Sequence, residues 1–141
     1  MIKAEDRYSD IFRIDTENGW GKILTRINEG FYNEMSIGRD RAKISTIAPI
    51  DRFVVLTFIW NGPKETHQLF VVDKKNQRYD SPEGVAPKEA MDIKSITIGD
   101  AHDNKHSFAT GKILELVVYD RALHASERTE LEDYYKKKYF K

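Results

Sequence analysis

The densest set of ligating groups in this chain lies in the polar stretch Asp100-Ala101-His102-Asp103-Asn104-Lys105-His106. Asp100, Asp103 and Asn104 offer oxygen atoms of the kind that hold calcium. The same three groups could hydrogen-bond a sugar hydroxyl, directly or through the ion. His102 and His106 stand four apart, but that spacing aligns two imidazoles only on a helix, and this stretch reads as a loop. Lys105 in its middle opposes any cation. Calcium is the cofactor the cluster favours, with zinc a weaker reading, against the simpler reading of a solvated loop with none. Trp20, in the turn Asn18-Gly19-Trp20-Gly21, is the aromatic candidate: a platform for a sugar ring or a lid over the core. Tyr32 and Tyr79 are weaker candidates, and Trp60 ends an apolar strand and reads as core.

Catalysis needs more than this. Glycoside cleavage requires two carboxylates flanking the bond, and no strand carries Glu-x-Asp-x-x-Glu or Glu-x-x-x-Glu. There is no Gly-x-Ser-x-Gly elbow, His-Glu-x-x-His helix or phosphate loop. The chain has no cysteine, which removes thiol catalysis, thiolate zinc sites and disulfides. The sequence is expected to be no enzyme, with no catalytic residues.

Charge narrows the partners. Lysine plus arginine number 23 and aspartate plus glutamate 23, so the formal balance is zero. A nucleic-acid binder shows a basic surplus or stripe. The one basic run, Lys136 to Lys138 with Lys141, reads as a solvated helix end. Neither nucleic acid nor membrane is expected as a partner. No signal peptide is visible, since Ile2 is followed by the charged stretch Lys3 to Arg7.

The elements that must position these groups are strands. At 141 residues and 40% hydrophobic, one domain spanning 1-141 is expected. Ile11 to Ile14, Lys22 to Ile27, Phe31 to Ile37 and Ala42 to Ile47 are short candidates, the second and third forming a hairpin. Arg52 to Trp60 is apolar on both faces, and Asn61-Gly62-Pro63 turns it into Thr66 to Val72. A short strand at Arg78-Tyr79, the alternating Ile93 to Ile98 and the nearly all-apolar Lys112 to Tyr119 follow. About nine candidates at roughly ten-residue spacing mean an all-β sandwich or barrel, with strands over about 11-119. The period then changes. Leu131, Tyr135 and Tyr139 share one helical face over about 125-138, acids lead the lysine run, and His124 or Ser126 caps the start. That aromatic face is expected to dock on the sheets.

The most specific stretch runs from Ser107 to Leu123: Phe108, Gly111, Ile113, Glu115, the apolar run Leu116 to Tyr119, then Asp120-Arg121-Ala122-Leu123. It resembles the closing motif of laminin-G-like domains of the concanavalin A-like lectin and glucanase superfamily, which a Tyr-containing helix then follows. Ile96-Thr97-Ile98-Gly99 is similar to that family's strand end, though the turn at Asp73-Lys74 stands where the family has Asp-Gly. The resemblance implies a concanavalin A-like antiparallel jelly-roll sandwich with a C-terminal helix. It implies architectural roles for Gly111, Glu115, Arg121 and Leu123. It also implies a non-catalytic binding or adhesion module for a surface glycan or a protein; Trp20, Asp100, Asp103 and Asn104, read above from residue chemistry, are the ligand residues expected for it and the last three the calcium set. Such modules are extracellular or belong to phage particles. The alternative is a structural assembly domain, such as a virion decoration or tail component. Family domains usually carry further N-terminal strands, and Arg52 to Trp60 is apolar on both faces. A second subunit or a parent chain is therefore expected to cover a sheet edge or face.

Overall fold

The computed structural model describes residues 9–16, 23–27, 32–37, 42–47, 52–86, 88, 93–99 and 112–140. Eight strands occur among them. They are β1 (Ser9–Thr16), β2 (Ile23–Ile27), β3 (Tyr32–Ile37), β4 (Ala42–Ile47), β5 (Val54–Asn61), β6 (Thr66–Asp73), β7 (Gly84–Val85) and β8 (Ile93–Ile98). One helix, α1, spans Ala125–Tyr139. The strands form a five-stranded sheet, β4-β3-β2-β1-β8, and a three-stranded sheet, β5-β6-β7. Every pairing is antiparallel.

The β5–β6 hairpin forms for local reasons. Apolar β-branched residues favour the pleated surface. A single 3₁₀ turn, Gly62–Lys64, reverses the chain, with the Asn61 side chain accepting from the Lys64 amide at 3.3 Å. Pairing then runs unbroken from Asn61↔Thr66 to Val54↔Asp73. At the far end of β6 the Asp73 carboxylate, fully buried, accepts from the amides of Lys75 (2.8 Å) and Gln77 (3.0 Å) and meets Arg52 at 3.2 Å. Asn76 there takes a left-handed φ of 63°, so an asparagine supplies the conformation a glycine would otherwise give. A strand at Arg78-Tyr79 was expected; Arg78 makes only an isolated bridge to Val72, and β7 lies later.

One core draws on both sheets. Ile14 and Ile44 come from the larger sheet, and Leu69, Val71 and Ala86 from the smaller sheet and its end, with Phe12, Val54, Leu56, Phe58, Trp60 and Tyr79 packed around them. Thr46 adds a polar tie, its hydroxyl donating to the Tyr79 carbonyl at 2.6 Å. Gly84 is needed at the closest approach, because a Cβ there would fall 2.6 Å from both His67 and Ile44.

Two expectations require correction. The helix was expected to dock through Leu131, Tyr135 and Tyr139, but these are half-buried, and the buried residue of α1 is Glu132. The Arg128 guanidinium lies 3.8 Å from the centroid of the Phe70 ring. Glu132 bonds Arg128 (3.1 Å) and, from outside the helix, Arg78 (2.7 Å). Phe70 offers a cation–π face and the half-exposed Arg78 a charge partner for the buried Glu132, so the helix seats by its polar stripe.

The second correction is larger. Lys112 to Tyr119 was expected to be the closing strand, yet these residues carry no strand. Among the described residues none of their backbone groups pairs with another. The physical reason is that a strand's pattern needs a partner, and among the described residues no strand lies beside this segment; its Glu115 is held by α1.

Candidate interaction site

Trp20, Asp100, Asp103 and Asn104, with His102, His106 and Gly111, lie outside the described residues. The proposed ligand and calcium set is therefore not placed. Among the described residues no group of three or more His, Cys, Asp or Glu side chains is arranged to hold a metal ion. Among the described residues no helix is long and apolar enough to cross a membrane.

The described surface does contain one concentrated anomaly. Ile113, Leu114, Leu116, Val117, Val118 and Tyr119 are each 42 to 48% exposed. Residues on both sides of the segment are uncovered alike, and its backbone donors and acceptors are unpaired among the described residues. Six large apolar side chains within seven consecutive residues, broken only by Glu115, are unusual on a monomer's surface and mark an interaction site. An extended run of free amides and carbonyls is a ready template for another strand.

Helix α1 fixes the segment in place. Glu115 accepts from the Tyr139 hydroxyl at 2.6 Å, the Lys138 ammonium at 2.8 Å and, more weakly, the Tyr135 hydroxyl at 3.5 Å. Lys138 and Tyr139 hold the Glu115 carboxyl below the usual carboxylate range, and Glu115 in turn pushes the Tyr139 hydroxyl up. Burial, then the Glu115 charge, raises Tyr135. Tyr135 and Tyr139 stack with their centroids 6.4 Å apart, so the three donors form one platform. The helix presents them together because positions 135, 138 and 139 are neighbours at α-helical spacing.

A second clamp stands where the segment enters α1. Arg121 forks onto Glu127 at 2.6 and 2.8 Å, and the His124 backbone N–H donates to the same carboxylate at 2.8 Å. Arg121, then His124, draws the Glu127 carboxyl down to about 2. The glutamate three residues into the helix thus caps its start. Arg121 reaches, besides Glu127, the Ala122 carbonyl at 3.5 Å.

These contacts decide what the arrangement can do chemically. Glu115 and Glu127 are ionised and engaged by donors, so neither has a proton to deliver near neutral pH nor the basicity to take one. They are anchors. What the anchored segment offers to solvent is apolar surface and strand edges, which suit a polypeptide. Sequence reasoning missed this site because an apolar run reads as buried. The available signal was its apolarity at both odd and even positions, which demands cover on two faces.

Comparisons with protein-family models, curated proteins and solved structures give no match for this chain.

Proposed function

We propose that this chain is a non-catalytic binding module whose task is protein–protein assembly, and that it binds through residues 112–119. One observation carries the reading: six large apolar side chains in that segment stand 42 to 48% exposed on a backbone that is unpaired among the described residues, held in position by Glu115 and α1. Exposure on this scale costs solubility, and its use is to be covered by another polypeptide. The two antiparallel sheets with a shared core also fit a laminin-G-like sandwich in which 112–119 takes the place of the closing strand and is completed on assembly.

The test uses the intact chain at high dilution. Amides of 112–119 are expected to exchange rapidly with deuterium while those of β6 are protected, and the segment is expected to bind a hydrophobic dye. Leu116→Glu/Val118→Glu should abolish dye binding and leave the unfolding midpoint unchanged. Slow exchange at 112–119 in a monomer would mean that its own chain covers it, and the reading fails. A glycan array on the same sample tests carbohydrate binding. A signal lost with Asp100→Ala/Asp103→Ala would move the function to that loop.

A further inference from the structure

We propose that residues 112–119 pair with the same segment of a second copy of this chain, antiparallel and centred on Leu116. This rests on the assembly reading above and names the partner. Charge complementarity selects it. Lys112 and Asp120 bracket the apolar run and are both exposed. Among the described residues neither makes a hydrogen bond or ion pair; Asp120 acts on the adjacent Arg121 only through its charge, and the Arg121 guanidinium is bonded to Glu127.

An antiparallel pairing centred on Leu116 sets Lys112 of each copy opposite Asp120 of the other, Ile113 opposite Tyr119, Leu114 opposite Val118 and Leu116 opposite itself. Two-fold symmetry repeats the charge pair at both ends. Adjacent registers lose it. A slip one way puts Lys112 opposite Arg121, and the other way puts Asp120 opposite Gly111. A further slip that way sets Glu115 against Glu115. Because side chains alternate between faces, Leu114, Leu116 and Val118 of both copies then form one apolar stripe closed at each end by opposite charges. Glu115 falls on the other face, where α1 already satisfies it. Pairing satisfies one edge of each backbone, and the two copies meet by identical surfaces, so the assembly closes as a dimer and does not run on as a fibre.

The chain has no cysteine, so single substitutions report cleanly. Under mild oxidation Leu116→Cys should give a disulfide-linked dimer, because directly opposed residues sit about 4.5–5.5 Å apart, within disulfide reach. Leu114→Cys alone and Val118→Cys alone should not link, since identical positions there are displaced by about 13 Å along the strands. Mixed together, the two variants should. In sedimentation equilibrium Lys112→Glu should weaken the dimer about tenfold by setting like charges opposite at both ends. Adding Asp120→Lys in the same chain should restore it. A dimer that fails to link at position 116, or that the double charge exchange does not restore, overturns the register. A monomer whose 112–119 amides exchange rapidly overturns the second copy as partner and leaves the assembly reading standing. A monomer with those amides protected overturns both.

Discussion

Residues 66–73 and 112–119 are nearly the same material in two situations. The first reads Thr-His-Gln-Leu-Phe-Val-Val-Asp and the second Lys-Ile-Leu-Glu-Leu-Val-Val-Tyr, each with a Val-Val pair before its final residue. β6 is paired with β5 along its whole length and with β7 at its start, and Leu69 and Val71 have no exposure. In 112–119 the two valines are 45% and 48% exposed. The difference teaches that apolar composition sets how much surface must be covered, while covalent surroundings decide by what. β6 follows its partner through one tight turn. The later segment is tethered to a helix that binds it by one of its two charged side chains, Glu115, and leaves its apolar ones outward.

The sharpest way to break this contrast is to truncate a leucine in each. Leu69→Ala should cost about 2–5 kcal/mol, the range for a buried leucine that leaves a cavity. Leu116→Ala, measured by urea unfolding at concentrations too low for association, should change stability by no more than about 0.5 kcal/mol. Comparable losses at both positions would show that 112–119 is covered within the monomer.

A smaller effect separates the two ways α1 could be held. Glu132→Gln keeps the shape but leaves Arg128, 14% exposed, without its ionic partner. A loss of about 1–3 kcal/mol is expected, discounted because Arg78 is 39% exposed and also meets Asp80. If Leu131→Ala cost more than Glu132→Gln, the helix would be seated by its aliphatic face after all.

Acid should act on β6 first. His67 is 2% exposed, and among the described residues neither ring nitrogen has a hydrogen-bond partner. Burial pushes its pKa below 6.5, partly offset by the nearby Gly84 backbone, whose geometry falls short of a formed bond. The unfolded chain therefore binds the proton more readily than the folded one. Stability is full above 6.5 and declines as the pH falls from there through the folded value. Urea midpoints taken between about pH 7.5 and about pH 5 should show this decline, and His67→Leu should flatten it. A slope that persists in His67→Leu would assign the titration elsewhere.

The smallest effect belongs to the far clamp. The Glu127 carboxyl sits at about 2, so its support for the start of α1 is present above the ordinary 4.5 and lost as pH falls toward 2. Being at the surface, it should also weaken with salt. Helical circular dichroism should fall over that acid range in the native chain and be insensitive to it in Glu127→Gln.

Much of the architecture was legible because it is local. Alternation and turn residues marked β1 to β6 and β8, and the change of period marked α1 to within a residue. β7 escaped because two residues, Gly84 and Val85, carry no periodicity. The docking stripe of α1 escaped because a buried Glu132 looks solvent-facing until Arg78, far back in the chain, is brought beside it. Residues 112–119 were read as a strand because their pattern is a strand's, but a pattern does not contain its partner. Trp20, Asp100, Asp103 and Asn104 rest on residue chemistry alone, since they lie outside the described residues.

The place of β8 has a consequence for synthesis. It closes the larger sheet by pairing Ile14 with Ile96, across most of the chain, whereas β5 and β6 meet through a single turn. Contacts so distant in sequence form slowly, because a long loop must be ordered before they contribute. On the ribosome, β1 emerges early and keeps one edge open until β8 follows it out. During that interval the nascent chain carries an unfinished sheet whose β1 edge is open to pairing by other chains.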